Sequence, residues 1–204
     1  GHWDRAAKLG ELALTNKVEA YNLPQGVITH MYRDIAAHNI GTITHVGLNT
    51  FVDPRHGGGK LNERTKEDLV KERLLYKPIP INVCLVRGSY ADEYGNCTVH
   101  REIGPLDVTA QCQATKNSGG IVIVQVEKLL QGGTLDPRLV KIPGIYVDAI
   151  VVGAPEDNNQ CLGMAYDGAL SGEFRIPMDD IPPIPMDAKK IIARRAAMEL
   201  PQDA

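Results

Sequence analysis

The stretch KNSGGIVIVQV, residues 116–126, decides the fold class of this protein. Two glycines precede an apolar run rich in β-branched residues, which only Gln125 interrupts. Such a run is typical of a strand that is buried on both faces in a parallel sheet. The segment YVDAIVVG, residues 146–153, has the same character. Together the two segments predict an α/β fold with a mainly parallel sheet.

Two helices are predicted before these strands in the sequence. The segment LDVTAQCQATKN, residues 106–117, is predicted to be helical, and Gly119 and Gly120 are a natural stop for it. Pro24 suits the first turn of an earlier helix, where its missing N–H costs nothing. The inner stripe of that helix consists of Ile28, Met31 and Ile35.

Shorter elements are predicted in the rest of the chain. Asp4 suits the N-cap of a helix that ends near Thr15. KVEAY (17–21) and THVGL (44–48) are predicted to be strands. The turn residues of SYADEYGN (89–96) predict a hairpin between PINVCLVRG (80–88) and NCTVHRE (96–102).

Composition indicates an ordinary globular domain. The chain has 204 residues, of which 43% are hydrophobic and 23% charged. A net charge of −3 gives no general attraction to nucleic acid or to an anionic membrane, and no apolar run is long enough to span a membrane. The four cysteines are widely spaced, which favours reduced thiols over a disulfide framework or a zinc site. We therefore expect a cytoplasmic protein with no metal.

The two ends of the sequence suggest a piece of a longer protein. The chain starts at Gly1 without a methionine, and DAKKIIARRAAMEL (187–200) is a helix pattern with Asp187 as N-cap. A connector rich in Asn, Asp, Gly and Pro, residues 155–185, precedes that helix. We interpret residues 1–186 as an incomplete first domain and residues 187–204 as the first helix of a second one.

Two motifs of known chemistry fail on their spacing. HGGG, residues 56–59, would be an oxyanion-hole motif of a lipase-type hydrolase, but the chain has no G-x-S-x-G nucleophile elbow. GGGK is not a phosphate loop, because Pro54 stands where the first glycine belongs and Leu61 where the hydroxyl belongs. The surrounding segment, residues 49–65, is too long for a routine connection and is a candidate functional loop.

The segment YNLPQG raises a different possibility. Gln25 and Gly26 open a helix, where backbone N–H groups are free and the Gln25 amide adds a neutral donor. Such donors can hold a carbonyl oxygen that becomes negative. From spacing alone, a simple capping role for Gln25 remains an alternative.

Seven segments, in the same order along the chain, resemble the family I coenzyme A transferases, in particular the acetate/propionate (short-chain acyl) branch. These segments are YNLPQG, THVGLNTFVDPR, GGKLNERTKEDL, DEYGN, KNSGGIVIVQVE, LDPRLVKIPGIYVDAIVV and KKIIARRAAMEL.

The resemblance implies a three-layer α/β domain, truncated at its N-terminus, in a protein of two related domains. It implies a ping-pong reaction in which a glutamate carboxylate attacks an acyl-CoA and forms a glutamyl-CoA thioester. Coenzyme A is then a substrate, and no cofactor is needed. The expected partners are an acyl-CoA, a short-chain carboxylate, the missing second domain and further copies of the complete protein.

The resemblance also implies the site residues: Gln25, Gly26, Gly47 and Asn49 would contact substrate. Gln25 would serve on the oxyanion side, and Asn49 stands where the family generally has glycine. The catalytic glutamate of the family lies in an E-x-G-x-x-G loop of the second domain, outside this chain. Glu102 in REIGPLD imitates the start of that loop, but Asp107 replaces its last glycine, so we interpret the likeness as accidental.

Two alternatives remain open at this point. One is a remnant module that binds an acyl-CoA or a partner without catalysis, since Gln25 is present and the nucleophile is absent. The other is a sugar-phosphate isomerase on a related scaffold, which would need a base and a phosphate site that the sequence does not reveal.

Overall fold

A computed structural model describes residues 6–65, 70–71, 74–161 and 163–201. The described helices are α1 (Ala7–Leu14), α2 (Gln25–Ala36), α3 (Val108–Asn117), α4 (Gly168–Ser171) and α5 (Ala188–Ala197). The described strands are β1 (Thr42–Ile43), β2 (Val70–Lys71), β3 (Leu75–Tyr76), β4 (Val83–Arg87), β5 (Tyr90–Asp92), β6 (Cys97–Thr98), β7 (Ile121–Val126), β8 (Lys128–Leu130), β9 (Val140–Ile142) and β10 (Ala149–Val152). None of these helices is long and apolar enough to cross a membrane.

The central sheet is parallel and has β7 in its middle, in the order β10-β7-β4. Ile123 of β7 lies opposite Leu85 of β4 and Ala149 of β10. The chain between β4 and β7 contains α3, which is the kind of long crossover that parallel strands require. The predicted α/β class and the parallel central sheet are confirmed.

One face of this sheet is buried and the other is open. The side chain of Cys112 in α3 packs on the buried face. That face consists of Cys84, Val86, Val122, Val124 and Val126. On the opposite face Leu85 is 74% exposed and Ile121 is 52% exposed. The prediction that IVIVQV is buried on both faces is therefore wrong here. In the part of the chain that the structure describes, the sheet carries one helical layer, in which α2 packs on α3.

The predicted hairpin turn is confirmed, but its strands differ from the prediction. β5 and β6 pair in antiparallel fashion, with Ala91 opposite Cys97. The buried carboxylate of Asp92 closes the turn by accepting from the backbone N–H of Asn96 at 2.9 Å. PINVCLVRG lies outside the hairpin because β4 finds a parallel partner in β7. The hairpin belongs to a second sheet in the order β8-β5-β6-β9.

The N-terminal part of the chain forms its own small core. A short antiparallel sheet, β1-β3-β2, lies against α2, which buries Val27, Met31 and Ile35. The predicted helix is confirmed, although Val27 takes the inner place that was expected for Ile28. Val27 and Met31 pack with Leu74 and Tyr76 in a cluster that is separate from the one under β7.

The two short strands predicted before residue 50 are wrong. THVGL forms consecutive turns instead, in which the N–H of Leu48 donates to His45 O at 3.2 Å. KVEAY contributes one β-bridge, from Tyr21 to Lys60. It does not extend into a strand because the backbone N–H and C=O of Ala20 form hydrogen bonds with Thr65 and Leu61. The predicted N-cap Asp4 lies outside the described residues, and α1 begins at Ala7.

The long loop at residues 44–60 is built around the buried carboxylate of Asp53. Its Oδ1 accepts from Arg55 Nε at 2.9 Å and its Oδ2 from the backbone N–H of Asn49, also at 2.9 Å. The hydrogen bond from the Arg55 side chain, and next the one from the Asn49 N–H, hold the pKa of Asp53 below its ordinary value. The consecutive glycines 57–59 all have positive φ angles and complete the turn. Asp53 and Arg55 therefore hold the loop together.

The C-terminal part, residues 172–201, packs little on the rest. Asp187 caps α5 as predicted, by accepting from the N–H of Lys190 at 2.8 Å. No residue of α5 is buried, and Ile192 is 68% exposed. In the described residues, the apolar side of α5 therefore has no partner.

Gly120 should be a point of high sensitivity in this fold, because β7 begins directly beside the chain at Ile81 and Asn82. A Cβ on Gly120 would lie 2.3 Å from Ile81 O and 2.6 Å from Asn82 O. We expect Gly120→Ala to lower the free energy of unfolding by about 1–3 kcal/mol, the usual cost of forcing extra volume into a packed site. Urea denaturation measures this loss. Gly104→Ala, whose Cβ would meet only Leu106 Cδ2 at 4.0 Å, is the control, and equal effects of the two changes would contradict the prediction.

Asp53→Asn should destabilise the protein in a way that depends on pH. Because the pKa of Asp53 is lower in the folded state, its contribution to stability is complete above the unfolded-state pKa of about 3.9. That contribution is lost as the pH falls through the depressed folded-state pKa. Thermal unfolding at a series of pH values should show a deficit for the variant at neutral pH that shrinks in acid. Asp179→Asn, at an exposed position, is the control, and a deficit that is constant with pH would contradict the prediction.

Candidate functional site

Gln25 and Gly26 form the first turn of α2, where the backbone is open to a ligand. The helix begins after Pro24 without a side-chain cap, and both residues are exposed. The N–H groups of Val27 and Ile28 bond to Pro24 O, which leaves those of Gln25 and Gly26 directed out of the helix end. The Gln25 side chain makes no hydrogen bond to any described residue. The alternative that Gln25 is a capping residue therefore does not fit the structure.

Gly26 keeps the space beside this helix end empty. A Cβ added to Gly26 would find no heavy atom within 4 Å. The surface beside the first turn of α2 is therefore unobstructed at Gly26. The partial positive charge of the helix end favours an oxygen that carries negative charge at this place.

The segment before α2 is held by the far end of the loop. The N–H of Asn22 donates to Gly59 O at 2.9 Å, and the N–H of Leu61 donates to Ala20 O at 3.0 Å. A Cβ on Gly59 would lie 2.7 Å from Leu23 Cδ2, so the glycine allows the two chains to touch. The position of Gln25 thus depends on the loop at 44–60.

Gly47 and Asn49 lie in the first turns of the same loop. Gly47 has a φ of 105° and leaves no room for a side chain. Asn49 has a φ of 60°, a left-handed conformation that asparagine tolerates better than most residues. Its side-chain Oδ1 accepts from Arg55 Nη2 at 3.3 Å. Asn49 can therefore stand at a place where glycine is expected.

The four residues predicted for the site thus occupy two adjoining pieces of structure. Gln25 and Gly26 belong to the helix end, and Gly47 and Asn49 belong to the loop that holds it. Gln25 and Asn49 are both exposed and share no hydrogen bond. What joins the two pieces is the backbone contact at Asn22 and Gly59 and a buried tyrosine, Tyr76, that the sequence did not single out. No motif marks Tyr76, because its role depends on residues far away in the sequence.

Glu102 lies elsewhere, after the hairpin and outside any strand. Its Oε1 is 3.1 Å from Arg87 Nε, and burial raises the pKa of its carboxyl above the ordinary value. The neighbouring Arg101 pairs with Glu127 at 3.0 Å and lies 3.5 Å from the ring centre of Tyr166. These contacts fasten the connector to the sheets, which gives the residues of REIGPLD a structural role.

The thiols and carboxylates of the described residues form no group of three that could bind a metal ion. Cys84, Cys97 and Cys112 are buried and reduced. A hydrogen bond from Cys112 of α3 lowers the pKa of Cys84, and both thiols are buried in the core.

The chain matches a protein family and several known proteins. The family model described as Coenzyme A transferase matches residues 2–153. Caffeate CoA-transferase of Acetobacterium woodii is 47% identical over 98% of this chain, and acetate CoA-transferase YdiF of Escherichia coli K12 is 41% identical over 100% of it. The matches span 40% of each relative, so the chain is less than half as long as these proteins.

Solved structures give the same result for the fold. The acyl-CoA transferase YdiF of E. coli O157:H7 is 40% identical, and its apoenzyme and its thioester complex with CoA superpose with TM-scores of 0.85 and 0.83. Each match covers 98% of this chain and 39% of the other. The matched residues, the parallel central sheet and the similarity to YdiF together show that the chain belongs to the coenzyme A transferase family.

Proposed function

We propose that this chain is part of an enzyme that moves coenzyme A between a short-chain acyl-CoA and acetate or a similar carboxylate. The observation that carries the proposal is the uncapped helix end at Gln25 and Gly26, with unused donors and open space before it. The residues that supply these donors are part of a segment in which the chain resembles the family.

The chemistry requires such donors at two stages. A glutamate carboxylate attacks the thioester carbonyl carbon, and the C–S bond breaks to give an acyl-glutamyl anhydride and CoA thiolate. The thiolate then attacks the glutamyl carbonyl, which forms a glutamyl-CoA thioester and releases the first carboxylate. The incoming carboxylate reverses both steps. Each attack places negative charge on a carbonyl oxygen, which neutral donors can stabilise without holding the anionic substrates too tightly.

Gln25 is assigned the role of donor to that oxygen, with the N–H groups at the start of α2 beside it. Gly26 leaves room for the thioester, while Gly47 and Asn49 lie in the loop that borders the substrate. The nucleophilic glutamate belongs to the part of the protein beyond this chain.

The division into domains is part of the same proposal. Residues 1–186 belong to the first domain and residues 187–204 begin the second, since Asp187 starts a helix whose apolar side is exposed. In this proposal the second domain buries that side. The complete protein is also proposed to assemble into homo-oligomers. The reduced thiols fit a cytoplasmic location, with a role in short-chain fatty acid or ketone body metabolism.

The site of covalent attachment tests the proposal directly. We expect the full-length protein that contains this stretch, after incubation with acetyl-CoA, to gain the mass of CoA less one water. Peptide mapping should place the thioester on a glutamate outside residues 1–204. An adduct on Glu102 or on another glutamate of this chain would contradict the assignment.

The 204-residue chain alone should give no transfer of CoA from acetyl-CoA to propionate, because it lacks the nucleophile. Product formation is measured by chromatography of the acyl-CoA pool, with the full-length protein as the positive control. Turnover by the pure chain would contradict the prediction. Calorimetric titration of the chain with acetyl-CoA tests the alternative of a binding module, which would release heat without turnover.

Gln25→Ala in the full-length protein should lower kcat by about 10²–10³-fold, the usual effect of removing one oxyanion donor. Gln25→Glu should lower kcat further, since it replaces the donor with a negative charge. The melting temperature should stay the same because the Gln25 side chain is exposed and unbonded. Gln131→Ala, at another exposed glutamine, is the matched control. A kcat for Gln25→Ala equal to that of the control would contradict the role.

A further inference from the structure

The hydroxyl of Tyr76 is a buried polar group that the proposed chemistry does not use. Tyr76 lies in β3, the middle strand of the small sheet, and is 0% exposed. Its ring packs in the cluster that contains Val27 and Met31, on the inner side of α2. Its hydroxyl donates to Val46 O at 2.7 Å, at the start of the loop. One side chain thus contacts both the site helix and the site loop.

The turn at Gly47 lies directly on this hydroxyl. A Cβ on Gly47 would lie 2.6 Å from the Tyr76 hydroxyl oxygen and 2.6 Å from Val52 Cγ2. Val52 is 2% exposed and fills the inside of the loop. The loop therefore has one position relative to the tyrosine ring, fixed by a hydrogen bond and by contact.

The far end of the loop returns to the same helix. A Cβ on Gly59 would lie 3.4 Å from Val52 Cγ1 and 2.7 Å from Leu23 Cδ2, and Gly59 O accepts from the N–H of Asn22. The contacts form a closed circuit, which runs from α2 through Tyr76 and the loop to the residues before Gln25. In this circuit the hydroxyl of Tyr76 ties the start of the loop to the core through its hydrogen bond to Val46 O.

We propose that Tyr76 is a positioning residue, whose hydroxyl fixes the Val46–Asn49 turn relative to Gln25 and Gly26. The catalytic consequence rests on the function proposed above, but the positioning itself does not. Burial, and next the negative charge of Asp53, raise the pKa of Tyr76, so the hydroxyl keeps its proton and remains a donor at neutral pH. Phenylalanine at position 76 would preserve the packing of the ring and remove only the hydroxyl. The substitution Tyr76→Phe therefore isolates the role of the hydroxyl.

Amide hydrogen exchange of the 204-residue chain tests the positioning. Tyr76→Phe should speed exchange about tenfold at Leu48 and Thr50, whose N–H groups bond within the turn, and leave exchange at Val122 in β7 unchanged. Tyr90→Phe is the matched control, because that hydroxyl makes no hydrogen bond to a described residue. Wild-type exchange at Leu48 and Thr50 in Tyr76→Phe would overturn the proposal.

If Tyr76→Phe speeds amide exchange throughout the chain, a second variant tests the positioning role. Gly47→Ala pushes from the loop side against the Tyr76 hydroxyl and against Val52, at a φ of 105° that disfavours a side chain, so it displaces the turn without changing the tyrosine. Faster exchange confined to residues 46–59 in this variant supports the proposal. Faster exchange throughout the chain, or no change, overturns it.

Kinetics of the full-length protein test the catalytic consequence. Tyr76→Phe should lower kcat about tenfold with little change in KM for acetyl-CoA, since a displaced turn disturbs the donors at the transition state more than it disturbs binding. Wild-type kcat in Tyr76→Phe overturns the catalytic part. If the wild-type protein itself transfers no CoA, the proposed function fails, while the exchange experiment still decides the positioning.

Discussion

The pairing of β7 with β4 on one side and β10 on the other is the constraint on which the rest of this structure depends. The three strands are parallel, so each must be reached by a crossover, and α3 in one crossover supplies the helical layer that buries Val122, Val124 and Val126. Gly120 permits the close start of β7 beside Asn82. The N-terminal part then attaches to this core through the packing of α2 on α3.

The candidate site lies at the first turn of α2 and depends on different interactions from those of the central sheet. The sheet depends on the burial of apolar side chains. The site depends instead on individual hydrogen bonds, each of which holds its donor and acceptor in one geometry. Asp53 uses both carboxylate oxygens to hold the loop, and Tyr76 uses its hydroxyl to fix the start of that loop. The helix that begins at Gln25 and Gly26 has no side-chain cap, which leaves the donors of its first turn unused.

This division suits the proposed transfer reaction, whose substrates are anionic. A positively charged side chain would hold a carboxylate or a thiolate strongly in the ground state, whereas neutral N–H groups act mainly on the oxygen whose charge increases during attack. The open face of the sheet and the exposed side of α5 are apolar surfaces that the described residues leave uncovered. The relatives are more than twice as long as this chain, which gives ample polypeptide for both.

The sequence by itself determined the features that depend on neighbours along the chain. It predicted the strand at 121–126, a strand within 146–153, the stop of α3 at Gly119 and Gly120, the hairpin turn and the cap of α5 by Asp187. Each of these follows from local propensity or from a hydrogen bond within a few residues. The family resemblance, carried by seven segments in order, then pointed to Gln25.

The tertiary structure alone decided what depends on distant partners. THVGL alternates like a strand, yet Gly47 and the hydroxyl of Tyr76, which lies 30 residues from Val46, turn it into part of a loop. KVEAY gives its backbone hydrogen bonds to Thr65 and Leu61 instead of to a sheet. IVIVQV is apolar on both sides, but only the packing of α3 determines which side is buried. The physical reason is the same in each case: backbone groups and apolar side chains can be satisfied by several partners, and the choice among them depends on which parts of the chain meet in space.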